Sequence, residues 1–224
     1  MATVMDPNIS YILSNNLLPY RDLFIKHCPA PLRISKDTVL SQSGQPASPM
    51  YFLLEGMVKI YTTNPGGYVR ILGYHKHNTL CAMDKIVGPG EPAVVTVESV
   101  TELKALQVTK ESLLAIDKEA PGFLYSLLQY YGTVLRLVCF DAELKSVTSA
   151  TARLAAFLCL YETNRSKSGP LPLTQDELAS AINASRVQVA RICSAFKKRG
   201  LIACSRGSVT VLNPDELGRL SQYY

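Results

Sequence analysis

Arg186 and Arg191 carry the chemistry most legible in this chain. A guanidinium is a rigid fork of N–H donors that fits a phosphate or the O6/N7 edge of guanine. Both lie in residues 173–202, LTQDELASAINASRVQVARICSAFKKRGLI, where Thr174, Gln175, Lys197 and Lys198 add further donors. Val187 and Ala190 offer apolar contact of the kind a thymine methyl accepts. These groups recognise; they do not make or break bonds.

To present them the segment needs two short helices. Thr174 with Glu177 has the S/T-x-x-E form of a capping box, and Ser185 with Gln188 the S/T-x-x-Q form. Each box satisfies free N–H groups at a helix start, so the helices should begin near Gln175 and Arg186. Asn183 falls between them, and Asn tolerates the left-handed conformation a tight turn requires. Helical spacing turns Leu178, Ala179 and Ile182 inward from the first helix, and Val189, Ile192 and Phe196 from the second. The residues expected at a DNA duplex are Ser185, Arg186, Val187, Gln188, Ala190 and Arg191. Thr174, Gln175, Lys197 and Lys198 are expected on the backbone, which positions without specifying. ACSRGSVTVL reads as a small hairpin turning at Arg206–Gly207, a wing that puts Arg206 near phosphates. The bland alternative is a capped helical hairpin with merely solvated arginines.

The charge supports the sharper reading. The net charge is +5, and residues 1–146 hold 13 basic and 13 acidic residues while 147–224 hold 10 and 5. The whole excess therefore sits with the helix-turn-helix, where it attracts phosphate. No apolar run approaches the roughly 18 residues of a membrane span. MATVMDPNISYILSNN lacks the basic-then-apolar order of a secretory signal, so a cytoplasmic protein is expected.

Upstream the pattern changes. From Leu32 to about Val108 the chain reads as short strands with turns, which argues for a barrel or jelly roll. MYFLLEGMVKIYTT has the form of a hairpin at Glu55–Gly56, NPGG at 64–67 is another turn, and GPGEP near 88–92 is a loop. A helix is expected around Tyr20–His27, and KESLLAIDKEAP gives a short helix ended by Pro121. A long helix follows. Leu124, Leu128, Tyr131, Leu135, Val138 and Ala142 form a heptad seam, which wants a second copy of the same helix. Phe123, Leu127, Val134 and Leu137 offer a second apolar face for the chain's own strand domain. The fold expected is α+β: a jelly-roll β-barrel effector domain (1–120), a dimerisation helix (121–146) and a winged helix-turn-helix (147–224).

This order resembles the superfamily of the cyclic-AMP receptor protein and the fumarate–nitrate regulator, over nearly the whole chain. ASRVQVARICSAFKKRGLI is similar to the family's SR-x-x-V-x-R stretch, YFLLEGMVKIYTTNPGGYVRILGY to its first β-roll strands, and ATARLAAFLCLY to its helix entering the DNA domain. The resemblance implies a homodimeric transcription regulator that reads an inverted repeat and works with RNA polymerase. Where the family has SR-Glu this chain has Ser185-Arg186-Val187, which points to T/A-rich half-sites.

The effector domain departs from the family's cyclic-nucleotide members. NTLCAMDKIVGPGEPAVVTVES holds no Gly-Glu pair near Leu80–Ala82, and Pro92–Ala93 where Arg-Ser would fall. Without that arginine a cyclic phosphate loses its fork, so cAMP and cGMP are not expected. The family's pocket between β-roll and long helix would here include Tyr74, Met83, Lys85, Tyr130 and Tyr131, suited to a small organic anion or a phenol. Regulators of anaerobic dehalogenation are similar in lacking the cassette. His75 and His77, a His-x-His on a strand, raise a haem alternative with both rings on one face. Six cysteines, none spaced as CxxC, match no zinc or iron–sulfur pattern; Cys159 and Cys193 read as core, and a thiol switch through Cys28, Cys81 or Cys204 stays open. No metal or cofactor is expected. An enzyme on a jelly-roll scaffold is the rival class, but three histidines give too few ligands, and no nucleophile–base motif or P-loop is present.

Overall fold

The computed structural model describes residues 11–46, 49–63, 69–86, 91–147, 149–163 and 170–221, with 85–86, 144–147 and 162–163 described by backbone alone. The chain divides into two compact units, Ile12–Leu135 and Arg136–Tyr224 together with Met1–Tyr11.

The first unit is a jelly-roll of two sheets. Its strands are β1 (Ile12–Leu13), β2 (Leu32–Ile34), β3 (Val39–Ser41), β4 (Met50–Glu55), β5 (Val58–Thr63), β6 (Val69–His75), β7 (Leu80–Cys81), β8 (Thr96–Ser99) and β9 (Leu103–Val108). One sheet runs β1-β6-β5-β8-β3 and the other β2-β9-β4-β7. All pairs are antiparallel except β1 with β6. Helix α1 (Arg21–His27) precedes β2, and α2 (Lys110–Glu119) follows β9, its first turn capped by the Thr109 hydroxyl.

The hairpin expected at Glu55–Gly56 does not form. β4 pairs with β7 and β9, whereas β5 pairs with β6 and β8 in the opposite sheet. Gly56 is the corner between the sheets. Its φ is +93°, and a Cβ there would collide with the Glu102 carbonyl oxygen. Met57 N–H donates to Thr101 Oγ1 and its carbonyl accepts from Val100, which fixes the crossing. Two apolar runs joined by Glu-Gly fit a corner as well as a hairpin, because the pattern does not say which strand each run pairs with: β4 takes β7 and β9, and β5 takes β6 and β8. The NPGG turn lies outside the described residues, as does most of GPGEP.

Helix α3 (Phe123–Val147) is long and apolar enough, by length and composition alone, to cross a membrane, an exception to the sequence expectation. Its apolar residues form two stripes. Phe123, Leu127 and Tyr130 are buried in the core of the first unit with Phe24, Phe52 and Leu106. The heptad seam is bare: Leu128 and Leu135 are 65% and 63% exposed, with Leu124, Val138 and Ala142 also exposed and Tyr131 half-buried.

In the second unit α4 (Ala150–Thr163) runs through the core beneath α5 (Gln175–Ile182) and α6 (Arg186–Lys198). Strands β10 (Ile202–Ser205) and β11 (Ser208–Val211) form the wing, and α7 (Pro214–Leu220), capped by Asn213, packs on α4. Tyr11 packs its ring at a tilt against Phe157 of α4 and donates a 2.6 Å hydrogen bond to the buried carboxylate of Asp141 on α3.

Candidate nucleic-acid interface and effector domain

Both capping boxes form. Thr174 Oγ1 accepts the Glu177 N–H at 3.2 Å and Glu177 Oε2 the Thr174 N–H at 2.7 Å. Ser185 Oγ accepts the Gln188 N–H at 3.2 Å and Gln188 Oε1 the Ser185 N–H at 3.0 Å. The Thr174, Ser185 and Gln188 side chains thus serve the caps, and Gln188 keeps only its amide N–H donors for a duplex. Between the helices Asn183 adopts φ 53°, ψ 57°. Arg153 of α4 closes this turn by donating from Nε to the Ile182 carbonyl at 2.8 Å and from Nη2 to the Asn183 carbonyl at 3.2 Å. It satisfies carbonyls that the end of α5 would leave unpaired.

Leu178, Ala179 and Ile182 are buried, as are Val189 and Phe196, but Ile192 is only half-buried. Cys193 takes the inner place because positions i, i+4 and i+7 (189, 193, 196) centre the stripe and 192 lies on its flank. That rotation leaves Arg186, Val187 and Arg191 exposed and Ala190 half-buried on the outer face. Gln175, Lys197 and Lys198 are exposed as well. Gly200, with φ +70°, ends α6, where the Leu201 N–H returns to the Phe196 carbonyl.

The wing turns at Arg206–Gly207, with Gly207 at φ +71° and Ser205 facing Ser208. A cleft of about 340 Å³ lies between the wing and the first turns of α5 and α6, lined by Gln175, Asp176, Arg186 and Arg206. Asp176 Oδ1 is 3.6 Å from Arg186 Nε, a carboxylate that sequence reasoning passed over. Asp176 lies in the first turn of α5, two residues after the Thr174 cap.

Of the expected effector residues in the first unit, Met83, Tyr130 and Tyr131 belong to one core cluster, and Tyr74 stands apart from it. The Tyr130 hydroxyl donates to the Leu80 carbonyl at 2.7 Å and lies 2.9 Å from His75 Nδ1, so it braces the core. Burial holds the His75 imidazole down at about 4, which keeps it neutral near pH 7. Tyr74 must face the other way, because adjacent strand residues alternate and its neighbours across the sheet are Lys59 and Ile12. His77 is exposed on the turn after β6, so the two histidines do not share one strand face as expected.

Met83 and Tyr131 are half-buried against one core cluster, while the Lys85 side chain lies outside the described residues. Asp84 stands between these positions in sequence. Its carboxylate accepts a hydrogen bond from the Val94 N–H, yet Oδ2 is buried with no partner. Burial raises the Asp84 carboxyl, and burial together with the Asp84 charge pushes Tyr131 up to about 12. Ala93 is buried, paired with Gln45 and Gly44 through its backbone.

Two family models match the chain: the Crp-like helix-turn-helix domain over residues 152–220 and the cyclic nucleotide-binding domain over residues 31–119. A CRP-like cAMP-activated global transcriptional regulator of Mycobacterium tuberculosis is 24% identical over 195 residues, 84% of this chain and 87% of that protein. The fumarate and nitrate reduction regulatory protein of Escherichia coli is 21% identical over 194 residues, 84% of this chain and 77% of that protein. The solved structure of the c-di-GMP responsive global regulator CLP of Xanthomonas campestris has the same fold, with TM-score 0.75 and 18% identity over 87% of this chain and 98% of that one.

Proposed function

We propose that this chain, a transcription regulator of the CRP/FNR family, binds an inverted repeat in DNA as a homodimer under the control of a small molecule held in its β-roll. The reading rests on one observation: two formed capping boxes present Arg186, Val187 and Arg191 on the open face of α6 beside a basic wing. In this arrangement the start of α6 enters the major groove. Val187, 60% exposed, packs on a thymine methyl, and Arg191 forks onto guanine or a phosphate. Gln175, Lys197, Lys198 and Arg206 hold the backbone. The bare α3 seam pairs two copies and so sets the half-site spacing. RNA polymerase is the partner through which such a regulator acts.

The effector is a phenol or a small organic acid rather than a cyclic nucleotide, in a branch similar to the dehalogenation regulators. Pro92 and Ala93 supply no fork for a cyclic phosphate. Of the two classes, Asp84 favours the phenol. Its orphaned Oδ2 accepts a hydrogen bond from an uncharged O–H and repels a carboxylate. Binding shifts the population between two orientations of the DNA-binding units.

The experiment is selection of bound sequences from random duplex DNA, with and without a panel of phenols and aromatic acids. A T/A-rich palindrome enriched only with a phenol is the expected result. Half-sites with a fixed C·G pair beneath Val187 would overturn the base reading. Enrichment with aromatic acids alone would overturn the role given to Asp84.

A further inference from the structure

Recognition leaves one pair of groups in the DNA-binding unit unused. Cys193 lies on the inner face of α6, 2% exposed, and Cys204 on β10 is half-buried. Both line the cleft that also holds Arg186 and Arg206, and α6 packs directly on β10. After burial, Cys204 is the neighbour that most raises the Cys193 thiol, which agrees with their shared place on this cleft. By sequence Cys193 falls in an apolar helical pattern and Cys204 is one of three candidate switch thiols with Cys28 and Cys81; the fold makes Cys193 and Cys204 neighbours across helix and wing.

We propose that Cys193 and Cys204 form a dithiol site that takes a low-molecular-weight disulfide, and that the resulting Cys193–Cys204 disulfide weakens DNA binding. The second clause rests on the DNA-binding reading above; the first does not. Cys204, the more accessible thiol, attacks first as its thiolate. A bond forms between its Sγ and one sulfur of the reagent, and the other sulfur leaves as a thiolate. Cys193 then loses its proton to solvent and attacks Sγ of Cys204, expelling the second thiolate. Two protein thiols give up two electrons and two protons, and the reagent ends as two thiols.

The second step is the slow one. Burial and the neighbouring Cys204 push the Cys193 thiol up to about 12, with Lys197 acting the other way, so little thiolate is present near neutrality. An S–S bond is about 2.05 Å long, shorter than any contact between two thiols, so closing it draws β10 toward α6. Arg206 lies two residues beyond Cys204 at the wing turn, and Arg186 lines the same cleft. Narrowing the cleft moves both guanidiniums from the positions that meet phosphate.

The test treats the reduced full chain with oxidised glutathione between pH 7 and 9. It follows intact mass, peptide linkage and, with the phenol panel present, DNA affinity, before and after dithiothreitol. The expected protein is two hydrogens lighter and carries a Cys193–Cys204 linked peptide, with closure faster at higher pH. Its DNA affinity falls about tenfold, as for loss of a phosphate contact, and returns on reduction. Cys204→Ser and Cys193→Ser, checked for folding by thermal melting, keep the reduced-state affinity and lose the response; Cys204→Ala serves if the serine variant does not fold. A glutathione adduct on Cys204 without closure, or a linkage through Cys139, would overturn the site. Closure with unchanged affinity would overturn the switch. Failure of the reduced protein to bind DNA would instead count against the function proposed above, while the linkage by mass still decides the dithiol site.

Discussion

Asp176 of α5 and Arg186 of α6 face each other at 3.6 Å across the mouth of the cleft beside the wing, both about two-thirds exposed. An ion pair this exposed contributes little to stability. Its weight falls on the proposed DNA binding, in which the carboxylate would hold the Arg186 guanidinium back and repel incoming phosphate. Asp176→Asn is expected to tighten DNA binding about three- to tenfold at low salt, with the gain shrinking as salt rises. Anisotropy titrations from low to high salt measure this; no gain at any salt would show that Asp176 does not face the duplex.

Arg153 holds the helix-turn-helix turn through two carbonyls, those of Ile182 and Asn183. Removing a charged donor from such carbonyls costs about 1.5–3 kcal/mol. Arg153→Ala should lower the melting temperature of the DNA-binding unit and weaken DNA binding without touching any DNA-facing residue. Arg153→Lys should recover only part, because one ammonium replaces a fork reaching two acceptors. Equal melting of wild type and Arg153→Ala would refute the bracing role.

The exposed seam of α3 should set the oligomeric state. Leu128→Glu with Leu135→Glu places charges where the proposed dimer buries leucine. The expected species in sedimentation is a folded monomer that binds a single half-site and loses the palindrome. The outcome against this is a dimer that survives both substitutions.

His75 gives the first unit an acid limit. Its folded value, about 4, lies below the ordinary 6.5, so the unfolded chain takes up a proton that the folded chain refuses. The stability this residue supports is present above pH 6.5 and is lost as pH falls toward 4. The full loss is on the order of 3 kcal/mol. Thermal melting at pH 7 and pH 5 should therefore show a larger drop in wild type than in His75→Gln. Parallel drops would mean that other groups carry the acid sensitivity.

How much of this was legible beforehand follows from how far each interaction reaches along the chain. The capping boxes at Thr174 and Ser185, the left-handed Asn183, the wing turn at Gly207 and the two stripes of α3 rest on contacts within a few residues, so residue type and spacing determined them. The charge excess of 147–224 is a sum over sequence and needs no fold. Strand partnership is different. A period of two says that side chains alternate, not which distant strand lies alongside or which face meets the core. Tertiary structure alone therefore made Glu55–Gly56 a corner between sheets, turned Tyr74 away from Tyr130, and left Asp84 Oδ2 without a partner. It also placed Cys204 against Cys193, because neighbours across helix and strand are chosen by packing rather than by sequence distance.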